Sequence, residues 1–144
     1  MIKDILLFLL GIENLEKKDQ YIDEEDSSWC VRPWGKYKVI SEGSDFVVKH
    51  LIVNPGGQTS LQSHTGREEY WTVASGVATI EFGDSIDNIY LVSKAEGESF
   101  NIKLRQIHRI KNNEENELHI IEVWKGNHLC EDDITRYQDL YGRK

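Results

Sequence analysis

From Trp29 onward the chain breaks into short runs of β-branched and aromatic residues, each closed by Gly, Asn, Asp or Ser, and this punctuation constrains the fold most. Strands are expected over 37–40, 46–53, 59–64, 69–73, 77–82, 89–92, 98–102, 106–111 and 118–123. Turn signals fall between them at Pro55-Gly56-Gly57, Thr65-Gly66, Ser75-Gly76, Gly83-Asp84, Glu96-Gly97 and Asn112-Asn113, where Gly and Asn accept positive φ at little cost. No helix-period stretch long enough for a βαβ crossover interrupts the series. An all-β jelly-roll barrel is therefore expected rather than a parallel α/β sheet.

Residues 1–28 read as an N-terminal extension and 29–144 as the domain proper. The extension opens with an apolar stretch over 5–12, followed by charged runs. That stretch is too short to span a bilayer and lacks the flanks of a signal peptide. It is expected to form a short helix packed on the domain or on a partner subunit. The chain ends in E-D-D-I-T-R-Y-Q-D-L-Y-G-R, expected as a second short helix against the barrel.

A net charge of -8 argues against nucleic acid or an anionic membrane as the main partner. A phosphorylated ligand would need a local basic pocket. Two distant cysteines, Cys30 and Cys130, make neither a disulfide framework nor a thiolate zinc site, which suits a reducing, cytoplasmic compartment. Exposed sheet edges and the apolar 5–12 stretch lead us to expect a homodimer.

Gln62 and His64 are two apart in an expected strand, so they share a face. Beyond the Thr65-Gly66 turn, Glu69 opens the next strand on the parity of Trp71 and Val73 and can face His64 across the hairpin. His108 belongs to a later strand. One amide oxygen, two imidazoles and a carboxylate form a nitrogen and oxygen donor set that suits zinc, iron, manganese or cobalt. Each residue also has a structural reading: Gln62 can tie down a loop, and Glu69 can pair with Arg67 or Arg109. His50, His119 and His128 lack ligand-like company and are read as structural or surface residues.

The stretch P-G-G-Q-T-S-L-Q-S-H-T-G-R-E-E-Y-W-T-V-A-S-G resembles the first cupin motif of the type II phosphomannose isomerases. In bifunctional enzymes that module is fused to mannose-1-phosphate guanylyltransferase. R-P-W-G-K-Y, H-R-I-K-N, I-E-V-W-K-G and the C-terminal run resemble further parts of the module in the same order, from Arg32 to Arg143. The resemblance implies a cupin fold, a divalent metal, usually zinc, on Gln62, His64, Glu69 and His108, and interconversion of mannose 6-phosphate and fructose 6-phosphate. Lys49 and Arg109 are then candidates for catalysis and Arg67 for substrate binding. The nucleotidyltransferase half has no counterpart here, so guanylyl transfer is not expected.

Three departures bear on the site. The family commonly has a second histidine two places after His64 and another beside the glutamate; here these are Gly66 and Tyr70. Its Pro-x-Gly turn before the second motif is replaced by Lys103-Leu104-Arg105. Its F-x-V-K-R reads F-V-V-K-H over 46–50, with one cation lost. These departures keep two rivals open: an accessory cupin that binds a sugar or nucleotide sugar for a separate guanylyltransferase, and an epimerase or oxygenase on the same scaffold.

Overall fold

The computed structural model describes residues 28–144. Their regular structure is entirely β: β1 (Cys30–Arg32), β2 (Gly35–Glu42), β3 (Phe46–Val53), β4 (Leu61–Ser63), β5 (Arg67–Ser75), β6 (Ala78–Ser85), β7 (Asn88–Lys94), β8 (Ser99–Ile102), β9 (Ile107–Lys111), β10 (Leu118–Gly126) and β11 (Thr135–Gln138). They form two antiparallel sheets, in the orders β1-β2-β3-β10-β5-β8 and β11-β4-β9-β6-β7. The N-terminal helix expected over 5–12 lies outside the described residues.

Two expectations are corrected. The barrel is not closed: the sheets face each other as an open sandwich, because none of the four edge strands β1, β8, β11 and β7 pairs with a strand of the other sheet. The C-terminal run is not helical. It supplies β11, which pairs with β4 through Thr135↔Ser63, Arg136↔Gln62 and Gln138↔Leu61. The free edge of β4 offers a row of backbone partners to T-R-Y-Q, and Tyr137 Oη meets Ser63 Oγ at 3.0 Å. Pairing with that edge outweighs the helix a short polar segment would form alone.

Alternation along the central strands divides the interior into two halves. In β10, Leu118, Ile120, Glu122 and Trp124 point inward and are buried; in β5 the inward residues are Arg67, Glu69, Trp71 and Val73. In β3 the inward set runs Val47, Lys49, Leu51, Val53. Antiparallel register aligns like with like, setting Glu122 between Lys49 and Trp71, and Ile120 between Leu51 and Val73. One half is thus an apolar core of Val53, Val73, Ala78, Ile80, Leu118 and Ile120. The other half is polar and holds Lys49, Arg67, Glu69 and Glu122.

The turn before β9 carries a non-glycine residue in the left-handed region, Arg105 at φ 63°. It stands at the third position of Lys103-Leu104-Arg105, and its amide donates to the His64 carbonyl at 2.8 Å. The chain keeps a glycine-type backbone there without the glycine. Arg105→Gly should relieve that strain and raise stability by up to about 1 kcal/mol, read from urea midpoints. A lowered midpoint would mean that the arginine side chain compensates for its backbone.

Candidate metal centre

His64, Glu69 and His108 come from three different segments and converge so that their donor atoms lie within 4.8 Å of one another. Closest approaches are 3.2 Å between the two Nε2 atoms, 3.0 Å from His64 Nε2 to Glu69 Oε1 and 3.7 Å from His108 Nε2 to Glu69 Oε2. Ligand atoms sharing an ion at bond lengths of about 2.1 Å stand roughly 3.0–3.4 Å apart. The cluster therefore has the spacing of a metal site. All three side chains are buried.

Backbone carbonyls fix the orientation of both rings. His64 Nδ1 lies 2.6 Å from the Asp133 carbonyl and His108 Nδ1 lies 2.8 Å from the Gln106 carbonyl. A carbonyl can only accept, so each Nδ1 carries the proton and each Nε2 turns its lone pair toward Glu69. Acceptors facing one another in a buried site require a cation among them. Arg67 supplies one here, its guanidinium donating to Glu69 Oε1 at 3.0 Å and lying 3.1 Å from His64 Nε2.

Asp133 secures the turn after His64. Its carboxylate accepts from the Thr65 amide, the Thr65 hydroxyl and the Gly66 amide at 2.8–2.9 Å. Burial opposes its charge, but those backbone bonds hold the carboxyl below its usual range. Gly66 is tightly covered: a Cβ there would come within 2.6 Å of His128 Cβ and 2.9 Å of its carbonyl oxygen. Tyr70 has the outward parity of β5, and its hydroxyl donates to Glu68. Neither position that lacks the family's histidine faces the three donors.

Gln62 stands opposite His108 in the β4–β9 register and lines the adjoining cavity together with Arg67 and Glu69. Lys49 lines it too, its Nζ 3.4 Å from the centroid of the Trp124 ring and bonded to Glu131; Arg67 packs on the same ring at 3.5 Å. Arg109 is corrected. It has the opposite parity to His108, bonds the Gln138 carbonyl at 3.2 Å, lies 3.6 Å from Glu81, and is not on the cavity wall. His50 and His119 meet each other at 2.9 Å on the outer face of β3 and β10, as their structural reading expects.

Glu122 escaped the sequence reading. It is the lone acid among the inward apolar residues of β10, and that parity was its available signal. Burial and the neighbouring Glu69 carboxylate push its carboxyl well above the usual range, against the pull of Lys49 and Arg67. Glu69 goes the other way. Burial opposes its charge, but close contact with the His64 ring and with the Arg67 guanidinium, which donates to Oε1, holds it well below. Trp71 Nε1 serves both carboxyls, at 3.1 Å to Glu69 and 3.2 Å to Glu122.

Comparison with known proteins agrees with this geometry. The sequence pattern of the family described as Mannose-6-phosphate isomerase C-terminal matches residues 18–139. The chain belongs to that family. Curated relatives include the alginate biosynthesis protein AlgA of Pseudomonas putida, 43% identical over 112 residues, and the xanthan biosynthesis protein XanB of Xanthomonas campestris pv. campestris, 44% identical over 112. A mannose-1-phosphate guanylyltransferase of Salmonella muenchen is 40% identical over 111 residues. These alignments take in 77–78% of the chain but only 22–23% of each relative, so the chain spans about a fifth of their length. Among solved structures, the capsular polysaccharide assembling protein CapF from Staphylococcus aureus superposes with a TM-score of 0.67 at 19% identity, over 77% of this chain and 34% of that one. Oxalate decarboxylase from Bacillus subtilis gives 0.68 at 15%, over 78% and 30%. Both likenesses concern the fold, which is of the cupin type.

Burial lowers the His108 imidazole from 6.5 to about 4, so this member of the isomerase C-terminal family keeps the ring neutral in the fold. The unfolded chain then binds more protons than the native one between those two values. Stability of the metal-free protein should fall as pH is lowered from about 6.5 toward 4, by on the order of a few kcal/mol, and Glu69 adds to the loss below its own ordinary range. Urea midpoints against pH measure this, and His108→Gln should flatten the slope. A midpoint constant across that window would refute the buried neutral imidazole.

Proposed function

We propose that this domain is a metal-dependent sugar-phosphate isomerase that interconverts mannose 6-phosphate and fructose 6-phosphate, feeding GDP-mannose and polysaccharide synthesis. One observation carries the reading: the lone pairs of His64 and His108 and the carboxylate of Glu69 converge beside a cavity walled by Lys49 and Arg67. Those three residues and the Gln62 amide oxygen would hold a divalent ion. Their nitrogen and oxygen donors suit zinc. Bound there, the ion would act as a Lewis acid on a sugar oxygen.

The chain's own groups do the rest. Aldose–ketose exchange moves a proton between C1 and C2 through an enediol, and negative charge develops on the two adjacent oxygens. Lys49 and Arg67, on the Trp124 ring and anchored by Glu131 and Glu69, present fixed positive charge to those oxygens. Charge fixed in advance in a buried site stabilises the transition state without reorganising. Arg109, behind β9, takes no part. Accessory binding without turnover drew its support from the histidines missing at Gly66 and Tyr70, and neither position faces the donors. Family relatives named for alginate and xanthan biosynthesis add support for a polysaccharide precursor as the product's destination.

A coupled assay for fructose 6-phosphate made from mannose 6-phosphate tests the proposal. Metal-loaded protein should turn over, a chelator should abolish the rate, and His64→Ala should lower it about a hundredfold or more. Absence of turnover by protein with a full complement of metal would refute isomerisation. A rate that survives both metal removal and His64→Ala would refute the mechanism.

A further inference from the structure

The cavity beside the three donors is cationic in a chain whose net charge is -8. Its wall carries Arg32, Lys49, Arg67, Arg136 and Arg143 against the carboxyls of Glu69, Glu122 and Glu131. Three of those cations are already committed: Lys49 to Glu131, Arg67 to Glu69 and Arg143 to Asp139. No side-chain carboxylate among the described residues pairs with Arg32 or Arg136. Arg32 donates to the Val31 carbonyl and to Tyr37 Oη, while Arg136 donates Nη1 to the Lys144 main-chain oxygen. Two buried donors on this wall, Arg136 Nε and Trp124 Nε1, lack any hydrogen-bond partner among the described residues. Orphaned buried donors in a cationic pocket call for an anionic acceptor.

The topology places these arginines at the rim. Arg32 comes from β1 and Arg136 from β11, the edge strands that the two sheets bring to the same cavity. Arg136 is opposite Gln62 and Gln62 is opposite His108, so Arg136 stands two strand spacings, about 10 Å along the sheet, from His108.

We propose that Arg32 and Arg136 form the phosphate cradle of this site, holding the substrate's phosphate at the rim while its C1–C2 end lies at His64, Glu69 and His108. The assignment rests on the isomerase reading for the sugar, and on the cavity alone for the anion. Arginine suits the task because its planar fork offers paired donors to phosphate oxygens. Held at the far end, the phosphate contributes positioning and leaves the chemistry to the inner groups.

The test uses the full metal-loaded chain, with Arg32→Gln, Arg136→Gln and the double variant. Calorimetric titration with inorganic phosphate and with mannose 6-phosphate reads binding, the coupled assay reads turnover, and elemental analysis verifies equal metal content. The double variant should bind both ligands at least about tenfold more weakly and raise KM by a similar factor, with kcat within about threefold of the parent. Arg136→Lys should recover part of the affinity. Phosphate affinity and KM unchanged in a folded, metal-replete double variant would overturn the cradle while leaving the isomerase standing. Arginine-dependent binding of mannose 6-phosphate without turnover would establish the cradle and refute the isomerase. A parent protein that binds neither ligand would overturn the cradle.

Discussion

An ionised carboxylate buried between two sheets is the constraint on which the polar half of this domain depends. Glu69 is 2% exposed, and a charge so far from water is tolerated only where donors surround it. Arg67 and Trp71 supply them from its own strand, two residues to either side, because alternate residues of β5 share a face. His64 and His108 arrive from elsewhere in the chain, and their Nδ1 bonds to carbonyls settle which nitrogen each turns inward. Moving β5 by one residue would send Glu69 to solvent and put Tyr70 among the imidazoles.

Register links this cluster to the apolar core. The same ladder that sets Ile120 between Leu51 and Val73 sets Glu122 between Lys49 and Trp71. The packed half therefore holds the strands at the spacing that the polar half needs. Side chains on well-packed strands are positioned more closely than side chains on loops, which favours a site with ligand atoms about 3 Å apart. The C-terminal segment completes the arrangement from the other sheet. Asp133 clamps the turn after His64, its carbonyl orients the His64 ring, and β11 closes the free edge of β4.

Strand parity made much of this readable from the sequence. Period-two spacing placed Gln62 with His64 and Glu69 with Trp71, and most expected strands agree with the observed ones to within two or three residues at each end. The same parity set Arg109 against His108, and should have excluded it from the cavity. It also marked Glu122 as the lone acid in an inward apolar series. What the sequence could not reveal was long-range pairing. T-R-Y-Q carries no local sign that it will dock on β4, and the helix expected there ignored an edge more than 70 residues away. The open sandwich likewise follows from which edge strands pair in three dimensions.

The departures from the family pattern acquire physical meaning in the fold. Position 66 is pressed against His128 and position 70 points to solvent, so a histidine at either would act on neighbouring surfaces rather than on the three donors. Arg105 holds a left-handed backbone at the position where the family pattern has the glycine of Pro-x-Gly, and its amide donates to the His64 carbonyl. The donors themselves match the family pattern while side chains around them differ. Divergence of this kind alters what surrounds the three donors more than the donors themselves.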